Sequence, residues 1–273
     1  MAVHRPASPA FSPLCGRAAT PYSARPVPSR RLTRWKSGPV ADFHFVEDYV
    51  RLVASLKERL PIDEAMSRAV GGGYERFGGI EADILDHYGL REGDGVLDFG
   101  CGSGRLAHAL GKRRPIAYLG IDIVQDLLDY AATKAPAHYR FRLNRALTLP
   151  VIDEAADWCC AFSVFTHLLH AESYLYLQEL ARIARPGGRI LFSFLEFGCA
   201  GHWAVFAETV EGQRRSTLPH LNMFIERPVI RLWAEKLGLE VVEIVDADEP
   251  RWNGHALGQS LAVLRRPSPP PPG

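Results

Sequence analysis

The 273-residue chain predicts an α/β fold: a doubly wound, mostly parallel sheet covered by helices on both faces. Three observations carry that prediction. Short apolar runs alternate with helix-period segments along most of the chain. One of those runs ends at Asp98, turns at three glycines spaced two apart (Gly100, Gly102, Gly104) and enters a helix-like stretch. The next strand-like run ends on a second acid, Asp122, about 20 residues past the glycine turn.

The elements follow in order. Residues 42–60 show helical spacing, with Phe43, Val46, Val50, Val53 and Leu56 on one face, and Pro61 ends the run. A second short helix is predicted over 62–70. The glycine-rich stretch 71–79 reads as a flexible loop carrying Tyr74, Arg76 and Phe77, and 80–88 as the helix leading into the first strand. Strands are expected at 95–98, 117–121, 139–143, 156–162 and 189–195. An amphipathic helix from Glu172 stops at Pro186, Gly187 and Gly188. A further helix covers 228–237, Gly238 stops it, and 239–247 and 259–266 read as two last strands.

Composition places few bounds on function. The chain is 47% hydrophobic and 23% charged with a formal net charge of +1, which neither requires nor forbids an acidic partner. No apolar run has the length of a transmembrane helix, so no membrane partner is expected. The five cysteines form no C-x-x-C pair and no zinc-like spacing, so no metal is expected, and a reducing, cytoplasmic setting is the plain reading. Residues 1–40 hold seven cations, Arg5, Arg17, Arg25, Arg30, Arg31, Arg34 and Lys36, and no acid. Their Pro, Ser and Ala content predicts a disordered basic tail, and an organelle transit peptide has the same composition. Residues 267–273 form a Pro-rich tail. Between the tails lies one domain, 41–266, with 41–90 as a helical lid and 91–266 as the core.

The glycine turn limits the ligand. A helix start behind it offers unpaired N–H groups and the positive end of a dipole. The spacing is G-x-G-x-G, not the G-x-G-x-x-G of nicotinamide sites, and Asp98 would repel a pyrophosphate. A ligand with a cationic amino group and no phosphate suits that carboxylate, and S-adenosylmethionine (SAM) is such a ligand. Asp122 can accept hydrogen bonds from both hydroxyls of a ribose; as an ordinary Asp it can equally start the following helix. Asp126 and Asp129 belong to the solvated face of that helix.

The stretch VLDFGCGSG (96–104), the acid at the end of the second strand and the RPGG turn (185–188) resemble the class I, Rossmann-like SAM-dependent methyltransferase family over about residues 72–265. The resemblance implies a seven-stranded sheet ending in an antiparallel hairpin, SAM as cofactor, and methyl transfer. It places cofactor contacts on Asp98, Phe99, Gly100, Cys101, Gly102, Gly104, Asp122, Ile123, Asn144, Phe162 and Ser163, beyond the carboxyl ends of the strands. The family often has an acid after the third strand to hold the adenine, and this chain has Asn144 and Arg145 there. Asn144 can still accept from an adenine amino group, or act as a turn residue. The N/D-P-P-Y motif of base and glutamine N-methyltransferases is missing after the fourth strand, which disfavours those acceptors. An oxygen of a small molecule or sugar is the expected acceptor; a nucleic acid or protein acceptor and SAM binding without turnover stay open. His167 is the candidate base, or a packed ring. His202, Trp203 and His220 fall where the family builds its acceptor pocket, in an insertion over 198–222. Tyr74, Arg76 and Phe77 either close over the cofactor or anchor their loop.

Overall fold

A computed structural model describes residues 45–217 and 221–268. Its centre is a seven-stranded sheet in the order β3-β2-β1-β4-β5-β7-β6. The strands are β1 (Gly95–Phe99), β2 (Ala117–Asp122), β3 (Arg140–Leu143), β4 (Ala156–Ala161), β5 (Ala184–Phe194), β6 (Glu240–Val245) and β7 (Ser260–Arg265). Neighbours from β3 to β5 pair in parallel, and β7 pairs antiparallel with both β5 and β6. The expected sheet and terminal hairpin are both present. Sequence order reverses at β1, whose neighbours are β2 on one side and β4 on the other, and the carboxyl ends of these three strands form the switch point.

Eight helices surround the sheet among the described residues: α1 (Phe45–Arg59), α2 (Ile62–Ala69), α3 (Tyr74–His87), α4 (Arg105–Gly111), α5 (Gln125–Lys134), α6 (His170–Ile183), α7 (Ala200–Arg215) and α8 (Arg227–Lys236). Successive strand residues point to opposite faces, so each strand feeds two apolar layers. Leu97, Cys159, Ile190 and Leu264 pack with Leu177 and Leu180 of α6 and Ile230 of α8. Val96, Cys160, Leu191 and Val263 pack on the other side with Ile84 of α3 and Leu106 and Leu110 of α4. A third, smaller cluster joins Val53, Met66 and Ala69 of α1 and α2 to Val124 and Leu127.

Three expectations are corrected. Tyr74 to Gly79 are the first turns of α3, not a loop. Gly78 sits where a Cβ would lie 2.4 Å from the Arg105 carbonyl oxygen, so it serves the close crossing of α3 over α4 rather than flexibility. On α1, Val53 is buried and Leu56 packs against the small cluster, but Val50 is exposed, so the apolar face is narrower than the spacing implied; Phe43 lies outside the described residues. The strand expected at 189 starts at Ala184, because Ala184 already pairs with Ala156 across an irregularity between Ala156 and Trp158. The end of α6 is closed from far along the chain: Arg266 Nη1 donates to the carbonyls of Ala181, Arg182 and Ala184, and Nη2 to Glu154 Oε1 at 2.8 Å.

Candidate functional site

β1 delivers the chain into a turn in which Gly100, Gly102 and Gly104 have φ of 72°, 52° and 80°. Those values lie in the left-handed region, where side chains are disfavoured. Space is also short: a Cβ on Gly100 would lie 2.3 Å from Val164 Cγ2, and one on Gly102 would lie 2.6 Å from Val70 Cγ1. The turn is fastened to the end of β2. Gly100 N and Cys101 N donate to the Ile121 carbonyl at 2.7 and 3.1 Å. Gly102 N donates to Asp122 Oδ2 at 2.8 Å, and Val124 N to Asp122 Oδ1 at 3.0 Å. One carboxylate therefore braces the glycine turn and starts α5. Burial pushes its pKa up, and the hydrogen bonds from Val124, Gly102 and Ile123 act against that. A carboxylate offers about four acceptor sites, so capacity for a ribose hydroxyl remains beside these bonds.

Asp98 is buried on β1, with the Tyr118 hydroxyl donating to its Oδ2. Burial pushes its pKa up to about 7; the Tyr118 bond opposes this, and the nearby Glu81 charge adds to it. Glu81, itself buried, pairs with Arg105 at 2.5 Å. A buried carboxylate with a raised pKa is stabilised by any cation brought beside it, which fits the ammonium of an amino-acid ligand. The narrow glycine turn, Asp122 at the next strand end and this carboxylate together fit SAM.

The other predicted contacts fall unevenly. Phe99 directs its ring into the core against Tyr176, with centroids 4.3 Å apart, and Phe162 packs in the opposite layer. Both can offer the cleft their main chain. Cys101 is buried, and burial pushes its thiol well above the usual range. Ile123 packs against the small cluster under α1 and α2. Asn144 stands apart: its amide nitrogen donates to the carbonyls of Ala146 and Thr148, the turn-residue role. Arg145 Nε donates to the Ile123 carbonyl at 3.0 Å and so bridges the loops after β2 and β3. Ser163, just past β4, has φ of 58°, an uncommon conformation for a side-chain-bearing residue. It is held by Ser193 Oγ, which accepts from Ser163 N at 2.7 Å and donates to Gln259 Oε1 at 2.6 Å. No local pattern in the sequence marks Ser193 and Gln259, which lie 30 and 96 positions from Ser163.

His167 ends a short 3₁₀ turn, Phe165–His167. Its Nδ1 lies 2.6 Å from the Leu221 carbonyl, which can only accept, so Nδ1 carries the proton and Nε2 is the basic nitrogen of the neutral ring. Tyr49 of α1 meets it edge-on at 5.6 Å. His202 is buried: its Nδ1 accepts from Glu196 N at 3.0 Å and its Nε2 faces the Gly258 carbonyl at 3.3 Å. That corrects its expected role at an acceptor; it ties β5 to the loop before β7. Trp203 is exposed, at one end of an aromatic group with Phe197, Phe206 and Phe224. His220 lies outside the described residues. Tyr74 donates to the Ser103 carbonyl at 3.2 Å and Phe77 lies under Arg105, so these two anchor the start of α3 on the glycine turn.

Residues 97–192, from β1 into β5, match the family model described as a methyltransferase domain. These residues are similar to a methyltransferase domain, and the sheet around them has the Rossmann-like methyltransferase fold. The chain is 31% identical over 177 residues to a malonyl-[acyl-carrier protein] O-methyltransferase of Serratia marcescens, covering 62% of this chain and 64% of that protein. The chain thus spans less than two thirds of that relative. In fold, this methyltransferase domain is similar to magnesium protoporphyrin IX methyltransferase of Synechocystis PCC 6803 solved with SAH (TM-score 0.53, 19% identity, 71% of this chain and 85% of that one). It is also similar to the methyltransferase solved with the Haloferax volcanii Trm112 activator (TM-score 0.58, 19% identity, 83% and 99%). No helix among the described residues is long and apolar enough to cross a membrane.

Proposed function

We propose that this protein transfers the methyl group of SAM to an oxygen of a small molecule or sugar. The observation that carries the reading is the brace at the switch point, where Asp122 holds the Gly102 amide and keeps acceptor capacity at the end of β2. Bound SAM supplies a methyl group already activated by its sulfonium. The chain's share of the chemistry is alignment and exclusion of water. In this reading Asp98 faces the ammonium, Asp122 takes the ribose hydroxyls, and the main chain at Phe99, Cys101, Ile123, Phe162 and Ser163 lines the cleft. Asn144 borders the adenine edge. A hydroxyl acceptor must lose its proton, and His167 Nε2 is the group to receive it. The oxygen acceptor gains support from the O-methyltransferase named among the relatives.

Calorimetry with SAM, SAH and NADH tests the cofactor: SAM and SAH should bind and NADH should not. Tight NADH binding without SAM binding overturns the reading. Methyl-labelled SAM incubated with a cell extract then identifies the acceptor. A labelled small molecule supports the proposal; labelled RNA or protein, lost when residues 1–40 are deleted, would instead give the basic segment an acceptor-binding role. Binding with no labelled product at all would make the protein a SAM-binding module.

A further inference from the structure

We propose that Ser193 and Gln259 are positioning residues for methyl transfer. Their hydrogen bonds hold Ser163 in a left-handed turn that seats Val164 on the glycine turn and starts the 3₁₀ turn carrying His167. The inference rests on the SAM reading of the cleft and adds to it two residues, one from β5 and one from the entry to β7.

At a φ of 58°, Ser163 sits in a region that costs energy for any residue with a Cβ and persists only where the surroundings over-determine it. Those surroundings are a closed ring of hydrogen bonds. Ser163 N donates to Ser193 Oγ at 2.7 Å, Ser193 Oγ donates to Gln259 Oε1 at 2.6 Å, and Ser163 Oγ donates to the same oxygen at 3.3 Å. Each partner is itself placed. Ser193 carries the one hydroxyl in β5 and is buried between Phe192 and Phe194. An apolar side chain at that position would add to the core, whereas a hydroxyl there gains only through the groups it bonds. Gln259 stands between two fastened neighbours: Gly258 N donates to the Ala247 carbonyl at 2.9 Å, and Ser260 Oγ donates to the buried Glu196.

The turn at Ser163 has two products. Val164 lies so close to Gly100 that a Cβ on the glycine would clash with Val164 Cγ2. The Val164 carbonyl accepts from His167 N at 2.9 Å and closes the 3₁₀ turn Phe165–His167. Glycine turn and candidate base are thus set in register through one residue, and rotation at Ser163 would shift Val164 and His167 together. In-line displacement at a methyl group tolerates little misalignment, so this register bears on turnover as well as on binding. Glycine at 163 would take the same φ unaided, while serine depends on the ring of bonds. That dependence supplies the test.

A double-mutant cycle on the full chain pairs Ser193→Ala with Ser163→Gly. Calorimetry with SAM reads affinity. Long-range proton–nitrogen NMR of the ligand-free protein reads the His167 ring, its signal assigned with His167→Gln. On the parent background Ser193→Ala should weaken SAM binding about tenfold and replace the single Nδ1–H pattern of His167 with a mixture of tautomers. On the Ser163→Gly background the same substitution should change affinity by less than about threefold and leave the His167 pattern single. An equal loss on both backgrounds overturns the proposal, because Ser193 would then act through packing alone. A folded Ser193→Ala protein with affinity and His167 pattern both unchanged overturns it too. Should Ser193→Ala fail to fold, the half-buried Gln259 gives the same reading. Gln259→Leu should lose about tenfold in affinity, and Gln259→Glu, which keeps an acceptor for both hydroxyls, should recover most of that; equal losses in the two count against the proposal. If the parent binds no SAM, the cofactor reading falls, while the ligand-free His167 signal still decides whether the ring of bonds sets the turn.

Discussion

Replacing Asp98 with Asn removes a carboxylate whose ionised form the fold holds at a cost. Its pKa is pushed up to about 7 by burial, against roughly 3.9 for a free side chain. The difference is about 3 units at about 1.4 kcal/mol each, or about 4 kcal/mol of stability forgone once the group is ionised in the folded state. The sign follows from proton counting. Between about pH 4 and 7 the folded protein keeps a proton that the unfolded chain has released, so stability falls as pH rises through that window and levels off above 7. In Asp98→Asn that slope should disappear and urea unfolding at pH 8 should show a more stable protein, because Tyr118 can donate to the amide carbonyl. Cofactor binding should respond in the opposite sense. An ammonium beside Asp98 favours the ionised form, so binding to the parent releases a proton, and affinity tightens up to about pH 7 by at most about tenfold per pH unit. Calorimetry in two buffers of different ionisation heat counts that proton. A parent protein that releases none, together with an Asn variant that binds SAM as tightly, would refute the reasoning.

Asp122→Ala removes the acceptor of the Gly102 and Val124 N–H groups and of the proposed ribose bonds, and SAM affinity should fall by about 1–3 kcal/mol in calorimetry. Gly102→Val places a branched side chain at a φ of 52° and against Val70, so SAM binding should be lost while circular dichroism stays near the parent; retained affinity would move the cofactor off the turn. His167→Gln should slow turnover by about 10²-fold or more with SAM affinity nearly intact, and unchanged kinetics would make the ring a packing element. Glu196 is buried and accepts both Arg227 Nε at 2.8 Å and Nη2 at 2.7 Å. Arg227→Ala should therefore cost about 2 kcal/mol, read as a Tm lower by about 4–8 °C.

Strand, turn and helix around the glycines were readable because local chemistry fixes them: an apolar run, residues able to take positive φ, and an acid at the following strand end. The start of α3 was not readable, since Gly78 and Gly79 look like loop residues until the Arg105 carbonyl is seen against Gly78. α7 gave no amphipathic signal to find; of its 16 residues only His202 is buried. The support of the site was hidden for a different reason. Ser163 with Ser193 and Gln259, and Glu196 with Arg227, are joined by positions 30 to 96 residues apart, and no local pattern announces such pairs. His202 misled because a histidine near a cleft and a histidine tying two backbone segments look the same in one dimension.

The position of β7 has a consequence for how the molecule is made. It is made after both β5 and β6, yet it takes a place inside the sheet, with β5 on one side and β6 on the other. Until it arrives, β5 presents an open margin able to recruit a strand from another nascent chain. Arg266, directly behind it, then reaches back to the unpaired carbonyls at the end of α6. Completion of the sheet and sealing of that helix are thus one late event, and a chain cut short before Arg265 would be left with an unfilled gap at the centre of that half.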